Sequence, residues 1–203
     1  MNQQCIYPIA PFNAPGRNEC CYWEGFLSDD HINYILSRPE WFNSGEAATG
    51  DGLNGVVDKE KRSTSVSWMG HDKNNHQIWE EIANTIWSAN RQFFHFDLTG
   101  CYESAQLGVY TAGENGHYDW HTDASLGSSN VPRKLSMALL LSDPSEFEGG
   151  ELQLKTSSNN ISSVEQKKGR AWFFPSWTLH RVTPVTKGIR RSLVLWAGGP
   201  AFR

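Results

Sequence analysis

His121 and Asp123 stand two residues apart near the middle of the chain. In an extended segment, residues i and i+2 point to the same side, so both side chains can reach one metal ion. An imidazole nitrogen and a carboxylate oxygen are two members of the two-histidine, one-carboxylate triad that holds non-haem Fe(II) with open coordination positions. The spacing alone is a weak signal, and its meaning depends on a third ligand elsewhere in the chain.

His180 is the predicted third ligand, because it lies far downstream and begins a predicted strand. An aromatic stretch, residues 171–177, precedes it. For the other histidines, a place on the surface or in the core is the default interpretation. His117 stands four residues before His121 and is a candidate for lining a substrate pocket.

Arg190 follows His180 by ten residues. Strand alternation places Arg190 and Ser192 on one face and Arg191 on the other. We expect the turn at Gly188 to pair this strand with the one that carries His180, so that Arg190 reaches into the barrel. A buried guanidinium needs an anionic partner, and its fork suits a carboxylate. An ordinary surface ion pair is the alternative.

Aromatic residues flank the predicted metal ligands. Tyr110 ends the preceding strand, and its hydroxyl is a candidate donor to the same bound acid; a core tyrosine bonded to the backbone is the alternative. Tyr118, Trp120 and Trp177 are candidates for the wall of a substrate pocket, although core packing is the simpler role for the tryptophans. A loop rich in glycine, asparagine and aspartate, residues 43–56, is a candidate lid over that pocket.

Two helices and a series of strands are predicted to position these residues. Ser28 is the predicted N-cap of a helix that Pro39 ends, and a second helix is predicted over about 75–94. One strand is predicted at 63–69, and short strands separated by turns follow Gly100. Those later strands are 103–111, 118–123, 134–142, 151–154, 161–165, 171–174, 179–185 and 191–197.

This order of elements predicts a mainly β (α+β) fold. Eight short strands at such spacing are typical of a double-stranded β-helix, the cupin-like jelly roll, with the N-terminal helices packed on the outside of one sheet. The 203 residues suit a single domain. Within it, residues 1–100 are predicted to form a helical and strand support region, and residues 101–200 the jelly-roll catalytic core.

Charge and cysteine usage restrict the classes of partner and location. The net charge of -4 gives no basic footprint, so neither nucleic acid nor an anionic membrane is an expected partner. Lys59, Lys61 and Arg62 form a small basic group, which we interpret as a solvated loop. The four cysteines form no Cys-x-x-Cys pair and favour a reducing compartment. With no signal peptide or membrane-spanning run evident, the predicted location is cytoplasmic.

Several motifs between residues 100 and 200 together resemble the prolyl-4-hydroxylase-like branch of the 2-oxoglutarate- and Fe(II)-dependent oxygenases, the PKHD-type hydroxylases. The combination is specific although each piece alone is not, and residues 1–100 carry no matching motif. The motifs are Tyr110-x2-Gly113-x4-Tyr118-x2-His121-x-Asp123, Leu135-Ser136-x3-Leu140-Leu141, Gly149-Gly150-Glu151-Leu152, Phe174-Pro175-Ser176 and His180-x-Val182-x-Pro184-Val185-x2-Gly188-x-Arg190-x-Ser192.

The resemblance implies roles for individual residues. Arg190 would bind the far carboxylate of 2-oxoglutarate, where the animal collagen enzymes carry lysine, and this difference points away from collagen-type hydroxylation. Ser192 or Tyr110 would assist it. The implied iron ligands are His121, Asp123 and His180.

The resemblance also implies an activity: hydroxylation of a C–H bond, with succinate and CO2 as coproducts. The implied cofactors are Fe(II), 2-oxoglutarate and O2, with ascorbate as the suggested reductant. The substrate class stays open between a prolyl or other residue in a protein or peptide and a free amino acid, another small molecule or nucleic acid. A non-oxidative, cupin-like metal-binding protein is the alternative from another class. Monomer and homodimer are both compatible with the sequence.

Overall fold

Residues 18–42, 57–127, 130–156 and 160–201 are described by the computed structural model of the protein. Most of the predicted lead-in, Cys5 and the candidate lid at 43–56 lie outside these residues.

Helix α1 (Asp29–Leu36) and helix α2 (His76–Ala89) form where the sequence predicts them. The Ser28 hydroxyl accepts a hydrogen bond from the His31 amide at 3.1 Å and caps α1, as expected of an N-cap serine. A π-helical turn, Asn90–Phe94, extends α2. Three short 3-10 helices complete the helical structure of the described residues: Pro39–Trp41, Ala112–Glu114 and Pro144–Glu146.

The strands form two antiparallel sheets. Their bounds are β1 (Cys21–Glu24), β2 (Arg62–Ser63), β3 (Ser65–Met69), β4 (Ala105–Thr111), β5 (His117–His121), β6 (Arg133–Leu140), β7 (Phe147–Gly149), β8 (Leu152–Lys155), β9 (Ile161–Ser163), β10 (Arg170–Pro175), β11 (Leu179–Val182) and β12 (Val185–Gly198). The larger sheet has the order β1-β10-β6-β12-β4-β3, with β7 paired to β12. The smaller sheet has the order β2-β5-β11-β8-β9.

Two apolar clusters hold these layers together. In the first, side chains of α1 and α2 such as Ile35 and Ile82 pack on larger-sheet residues such as Leu193 and Leu195. The second lies between the sheets and includes Tyr110, Leu152, Leu154, Phe174 and Val182. The predicted mainly β fold, with N-terminal helices on the outer face of one sheet, is therefore confirmed.

The predicted pairing of the last strand is wrong. We expected a turn at Gly188 to place residues 191–197 beside the strand of His180. Instead β12 runs through Gly188 as one 14-residue strand and pairs with β4, β6 and β7, while β11 belongs to the other sheet. The chain thus changes sheet between β11 and β12, so a short connection here is a crossover and not a hairpin.

Strands from both predicted regions of the chain take part in both sheets. β1 pairs with β10, β3 with β4, and β2 with β5. The sequence did not predict β1, β2 or β7, which have only two to four residues each. The division into a support region, 1–100, and a catalytic core, 101–200, stays a prediction.

Phe173 gives a direct test of the core under the helices. It is fully buried in β10 between Met137 and Cys21 of the neighbouring strands. We expect Phe173→Ala to lower the free energy of unfolding by about 3–5 kcal/mol, because the aromatic ring is lost and a cavity remains. Urea unfolding measures this, and Ile161→Ala on the exposed edge strand should change stability by less than about 0.5 kcal/mol. Equal effects of the two variants would contradict the assigned core.

The described cysteines are free thiols in a buried or half-buried setting. Burial raises the pKa of Cys21 and of Cys101 to about 12, so both remain protonated at neutral pH. Within the described ranges, no helix is long and apolar enough to cross a membrane.

Candidate metal centre

His121, Asp123 and His180 come together between the two sheets. One potential ligand atom from each lies within 4.8 Å of the others. The Asp123 carboxylate oxygens lie 3.9 Å from His121 Nε2 and 3.6 Å from His180 Nε2. Among the described residues, this is the one group of three or more histidine, cysteine or acidic side chains with such a separation.

Strand pairing places the two histidines side by side. His121 at the end of β5 lies directly opposite His180 in β11, and their ring centroids are 4.1 Å apart. The next pair along these strands is Tyr118 and Val182. Two residues of β5 separate Tyr118 from His121, but one residue of β11 separates His180 from Val182, so β5 contains a β-bulge. The extra residue turns Tyr118 to the same side as His121, and their rings stack at 3.5 Å.

Asp123 lies just beyond the end of β5 and is held by two serines. Its amide donates to the Ser176 carbonyl oxygen at 2.8 Å, and its Oδ2 accepts from the Ser136 hydroxyl at 2.7 Å. Both serines are fully buried and lie 3.0 Å apart, hydroxyl to hydroxyl. These contacts fix the carboxylate beside the histidines, so the predicted extended geometry at 118–123 is only part of what positions it.

Hydrogen bonds orient both imidazoles toward a shared point. Nδ1 of His121 lies 2.8 Å from the Asp119 carbonyl oxygen, and Nδ1 of His180 lies 2.9 Å from the Thr178 carbonyl oxygen. Because a carbonyl can only accept, each Nδ1 carries the proton and each neutral ring keeps its Nε2 lone pair free. Those lone pairs are on the side of Asp123.

The electrostatics of the cluster favour a bound cation. Burial and the neighbouring His180 lower the pKa of His121 to about 3, against the opposing pull of Asp123. Burial alone would raise the pKa of Asp123, but His180, His121 and the Ser136 hydrogen bond outweigh it and hold that pKa below its usual range. Two neutral imidazoles and one ionised carboxylate are the donor set that suits Fe(II), so these residues fit that ion.

The sequence pattern predicts no separate role for Ser136, but its contact with Asp123 predicts a measurable effect. We expect Ser136→Ala to weaken Fe(II) or Mn(II) binding by about 10- to 100-fold, because the carboxylate loses the donor that orients it. Isothermal titration gives the affinity. Ser142→Ala is the control. It also removes a buried hydroxyl, but that hydroxyl donates to the Ile189 carbonyl oxygen, so metal affinity should not change.

Arg190 faces the space between the sheets, although the pairing from which we expected this is wrong, since β12 adjoins β4 and β6 and not the strand of His180. It lies opposite Tyr110 across β12 and β4, with its guanidinium carbon 5.3 Å from the tyrosine ring centroid. Ser192, two residues on, is buried opposite Gly108. Gly150 lies against the Arg190 stem: a Cβ there would be 2.8 Å from Arg190 Cδ.

No anion of the described chain neutralises Arg190. Its side chain is 5 % exposed, and its buried Nε and Nη1 have no hydrogen-bond partner. Burial lowers the pKa of Arg190, because a charged group without a partner is unfavourable in a buried position. A buried, unpaired guanidinium beside Tyr110 and Ser192 is suited to receive a ligand carboxylate.

Of the other predicted pocket residues, Tyr118 contacts a metal ligand and His117 does not. Tyr118 lies against His121, as described above. His117 has Nδ1 2.7 Å from the Asn115 carbonyl oxygen and Nε2 2.9 Å from that of Glu60, so backbone groups occupy both nitrogens. Its ring joins two backbone segments, and the predicted lining role has no support in these contacts.

The structure does not bring the two predicted wall tryptophans together. Trp120 lies under the guanidinium of Arg181, whose carbon is 4.7 Å from the ring centroid and whose Nε donates to Gln153 on the outer face of the smaller sheet. Trp177 is 42 % exposed, and its ring packs 5.2 Å from Phe96, a member of the helix-facing cluster.

Three further side chains have no predicted role at the site. Trp196 is buried opposite Ser136, and its ring lies 6.3 Å from that of the half-exposed Trp68 on the edge strand β3. Arg62 is also buried, so its interpretation as part of a solvated basic loop is wrong. Strand alternation indicates the face of Trp196, but β2 is too short to signal the burial of Arg62.

Comparison with known proteins shows what this chain is similar to. Residues 105–198 match the family model described as the 2OG-Fe(II) oxygenase superfamily. A PKHD-type hydroxylase of Shewanella frigidimarina is 31% identical over 147 residues, which are 66% of this chain and 65% of the relative. One of Azoarcus sp. is 39% identical over 137 residues, 59% of this chain and 58% of the relative. The chain thus spans less than two thirds of the length of these curated relatives.

Solved structures share the fold at lower sequence identity. A prolyl-4-hydroxylase of Pseudomonas putida superposes with a TM-score of 0.68 at 20% identity, covering 89% of this chain and 92% of that one. A prolyl hydroxylase of Trichoplax adhaerens, in complex with a hypoxia inducible factor oxygen degradation domain peptide fragment, superposes with a TM-score of 0.69 at 19% identity, covering 89% and 84%.

Proposed function

Because the chain belongs to the 2OG-Fe(II) oxygenase superfamily, we propose that it is an Fe(II)- and 2-oxoglutarate-dependent dioxygenase. It hydroxylates a C–H bond of a prolyl or other residue in a protein or peptide, with succinate and CO2 as coproducts. His121, Asp123 and His180 hold the iron. Arg190 binds the far carboxylate of 2-oxoglutarate, assisted by Tyr110 and Ser192.

The buried, unpaired Arg190 is the observation that carries this proposal. A cupin-like protein that only binds a metal needs the triad, but it has no use for an uncompensated cation on the facing sheet. Leaving a charge buried without a partner is costly, so its retention here indicates an anionic ligand that enters between the sheets. A dicarboxylate can reach the metal with one end and Arg190 with the other.

The bound iron and 2-oxoglutarate would supply the oxidising chemistry, in which O2 converts C–H to C–OH while 2-oxoglutarate loses CO2 to become succinate. The protein residues hold and orient the groups. Asp119 and Thr178 fix the imidazole tautomers through their carbonyls, and Ser136 fixes the carboxylate. Both sheets exclude water from the centre, where Asp123 is 8 % and His180 6 % exposed.

A protein or peptide substrate is favoured by an exposed aromatic side chain at the edge of the larger sheet. Trp68 on the edge strand is 52 % exposed and packs beside Trp196, so an aromatic surface leads from solvent toward the metal centre. Aromatic faces of this kind suit an extended or proline-containing segment. The Trichoplax adhaerens prolyl hydroxylase of similar fold is a complex with a peptide fragment, which also favours a peptide substrate here. Cytoplasmic location and the use of ascorbate stay predictions.

Anaerobic titration tests the proposed pairing of metal and cosubstrate. We expect Fe(II)-loaded protein to develop a visible metal-to-ligand charge-transfer band on addition of 2-oxoglutarate, because 2-oxoglutarate would bind at the iron that His121, Asp123 and His180 hold, with its far carboxylate on Arg190. Succinate lacks the keto oxygen and should produce no band. Absence of the band at saturating 2-oxoglutarate, in protein shown to bind Fe(II), would contradict the proposed function.

A further inference from the structure

A second buried arginine, Arg62, belongs to the smaller sheet, whereas Arg190 belongs to the larger one. Arg62 in β2 lies directly opposite Tyr118 in β5, and its guanidinium carbon is 4.3 Å from the tyrosine ring centroid. The Tyr118 ring in turn stacks on His121 at 3.5 Å. Arg62, Tyr118 and His121 therefore form one continuous stack that ends at the metal position.

The chain next to Arg62 runs toward the pocket of Arg190. Thr64, two residues further on, is buried and packs toward Gly108, where a Cβ would lie 3.7 Å from Thr64 Cγ2 and 3.5 Å from Ser192 Oγ. Since Ser192 belongs to the pocket of Arg190, Thr64 links the short strand of Arg62 to that pocket.

The nitrogens of Arg62 that lack a partner define a particular kind of ligand. Arg62 is 7 % exposed, and both its Nε and its Nη2 are buried without a hydrogen-bond partner. These two atoms lie on one edge of the guanidinium and donate in parallel, which is the geometry that binds a carboxylate through both oxygens.

Two other arginines of this chain use the same pair of atoms to bind a carboxylate, Arg133 through both of its oxygens and Arg170 through one. Nε and Nη2 of Arg133 donate to the two carboxylate oxygens of Glu103, and Nε and Nη2 of Arg170 donate to Glu24. In Arg62 the same two atoms, Nε and Nη2, have no acceptor among the described residues.

The charges of the proposed complex leave room for one more anion. Fe(II), Arg190 and Arg62 together would carry four positive charges. Asp123 and the doubly charged 2-oxoglutarate would supply three negative charges, so one positive charge remains uncompensated. Among the buried charged side chains of the described residues, Asp123 is the single carboxylate. A buried positive charge is stabilised when an anion pairs with it.

We propose that Arg62 binds a carboxylate carried by the substrate, so that this protein selects acidic substrates. The proposal rests on the proposed function, since the substrate must approach the same iron. The carboxylate belongs either to the free end of an amino acid or peptide, or to an acidic side chain next to the residue that is hydroxylated. Arg62 thereby determines specificity, and Arg190 remains the receptor of 2-oxoglutarate.

Paired probes that differ only in charge distinguish the two sources. One pair is N-acetyl-L-proline and N-acetyl-L-prolinamide, and the other is acetyl-Glu-Pro-amide and acetyl-Gln-Pro-amide. Binding is measured by NMR titration of protein loaded with Co(II) and saturated with 2-oxoglutarate, so no turnover is needed. In at least one pair, we expect the carboxylate to bind about 10- to 100-fold more tightly than its amide partner.

Variants assign that preference to Arg62. Arg62→Gln should abolish the preference for the carboxylate probe. Arg62→Lys should restore part of this preference, because lysine keeps the positive charge but lacks the two parallel donors. Arg181→Gln is the matched control, because Arg181 also stacks on an aromatic ring of the same sheet but on its outer face, and it should keep the full preference.

Three results would overturn the proposal. The first is equal or undetectable binding of carboxylate and amide in both pairs, and the second is a preference that survives Arg62→Gln. The third is loss of 2-oxoglutarate binding in Arg62→Gln, which would assign Arg62 to the cosubstrate. The charge-transfer titration of wild-type protein is independent of these results, so a failure of the proposed function itself would be recognised there.

Discussion

Asp123→Asn is expected to remove Fe(II) binding almost completely. The substitution keeps the size of the side chain but replaces an anionic oxygen ligand by a neutral amide. Loss of a supporting hydrogen bond alone typically costs 10- to 100-fold in metal affinity, so loss of the ligand charge should cost more than about 100-fold. Asp123 also supplies the one carboxylate beside both imidazoles, and no other described acid can replace it.

Isothermal titration with Fe(II) under argon, or with Mn(II), measures this loss. Asp119→Asn is the matched control, because Asp119 lies on the same strand with an exposed side chain and contributes only its carbonyl to His121. Its metal affinity should equal that of the wild type. If Asp123→Asn binds Fe(II) within a factor of ten of the wild type, the assignment of the metal centre is wrong.

Arg190→Gln is expected to weaken 2-oxoglutarate binding by about 100-fold or more, because two charge-assisted hydrogen bonds are lost, each contributing about 1.5–3 kcal/mol. Metal affinity should not change. Without cosubstrate, the variant should melt no lower than the wild type, because it no longer buries an unpaired cation. The affinity follows from the anaerobic charge-transfer titration, and the melting temperature from calorimetry.

Arg191→Gln is the control for Arg190→Gln. Arg191 is the next residue in β12 but points to the helix side, where its guanidinium carbon lies 6.0 Å from the Phe42 ring centroid. It should bind 2-oxoglutarate like the wild type. Equal weakening in the two variants would mean that disruption of β12, and not loss of a specific contact, explains the effect.

Local patterns in the sequence predicted the parts of the fold that depend on neighbours in the chain. The apolar spacing and the Ser28 cap located α1, and strand alternation assigned Arg190 and Ser192 to one face. Those signals are encoded within a few residues, so a single sequence is enough to read them.

Features that depend on distant contacts were missed or misread. The sequence predicts a hairpin where the chain crosses from β11 to β12, because a short connection has the same sequence signals in both cases. The bulge in β5 turns Tyr118 inward, and no residue in β5 marks its position. Arg62 is buried only because β2 pairs with a strand more than 50 residues away, so its charge alone suggested a solvated loop.

Release of labelled CO2 from 2-oxoglutarate labelled at its first carbon tests the central claim most directly. We expect wild-type protein to release it only when both Fe(II) and O2 are present, even without added substrate, with one succinate formed for each CO2. Asp123→Asn and Arg190→Gln should fall to background at a 2-oxoglutarate concentration that saturates the wild type, while Arg191→Gln retains the activity. Wild-type release that is no higher than that of Asp123→Asn would contradict the account.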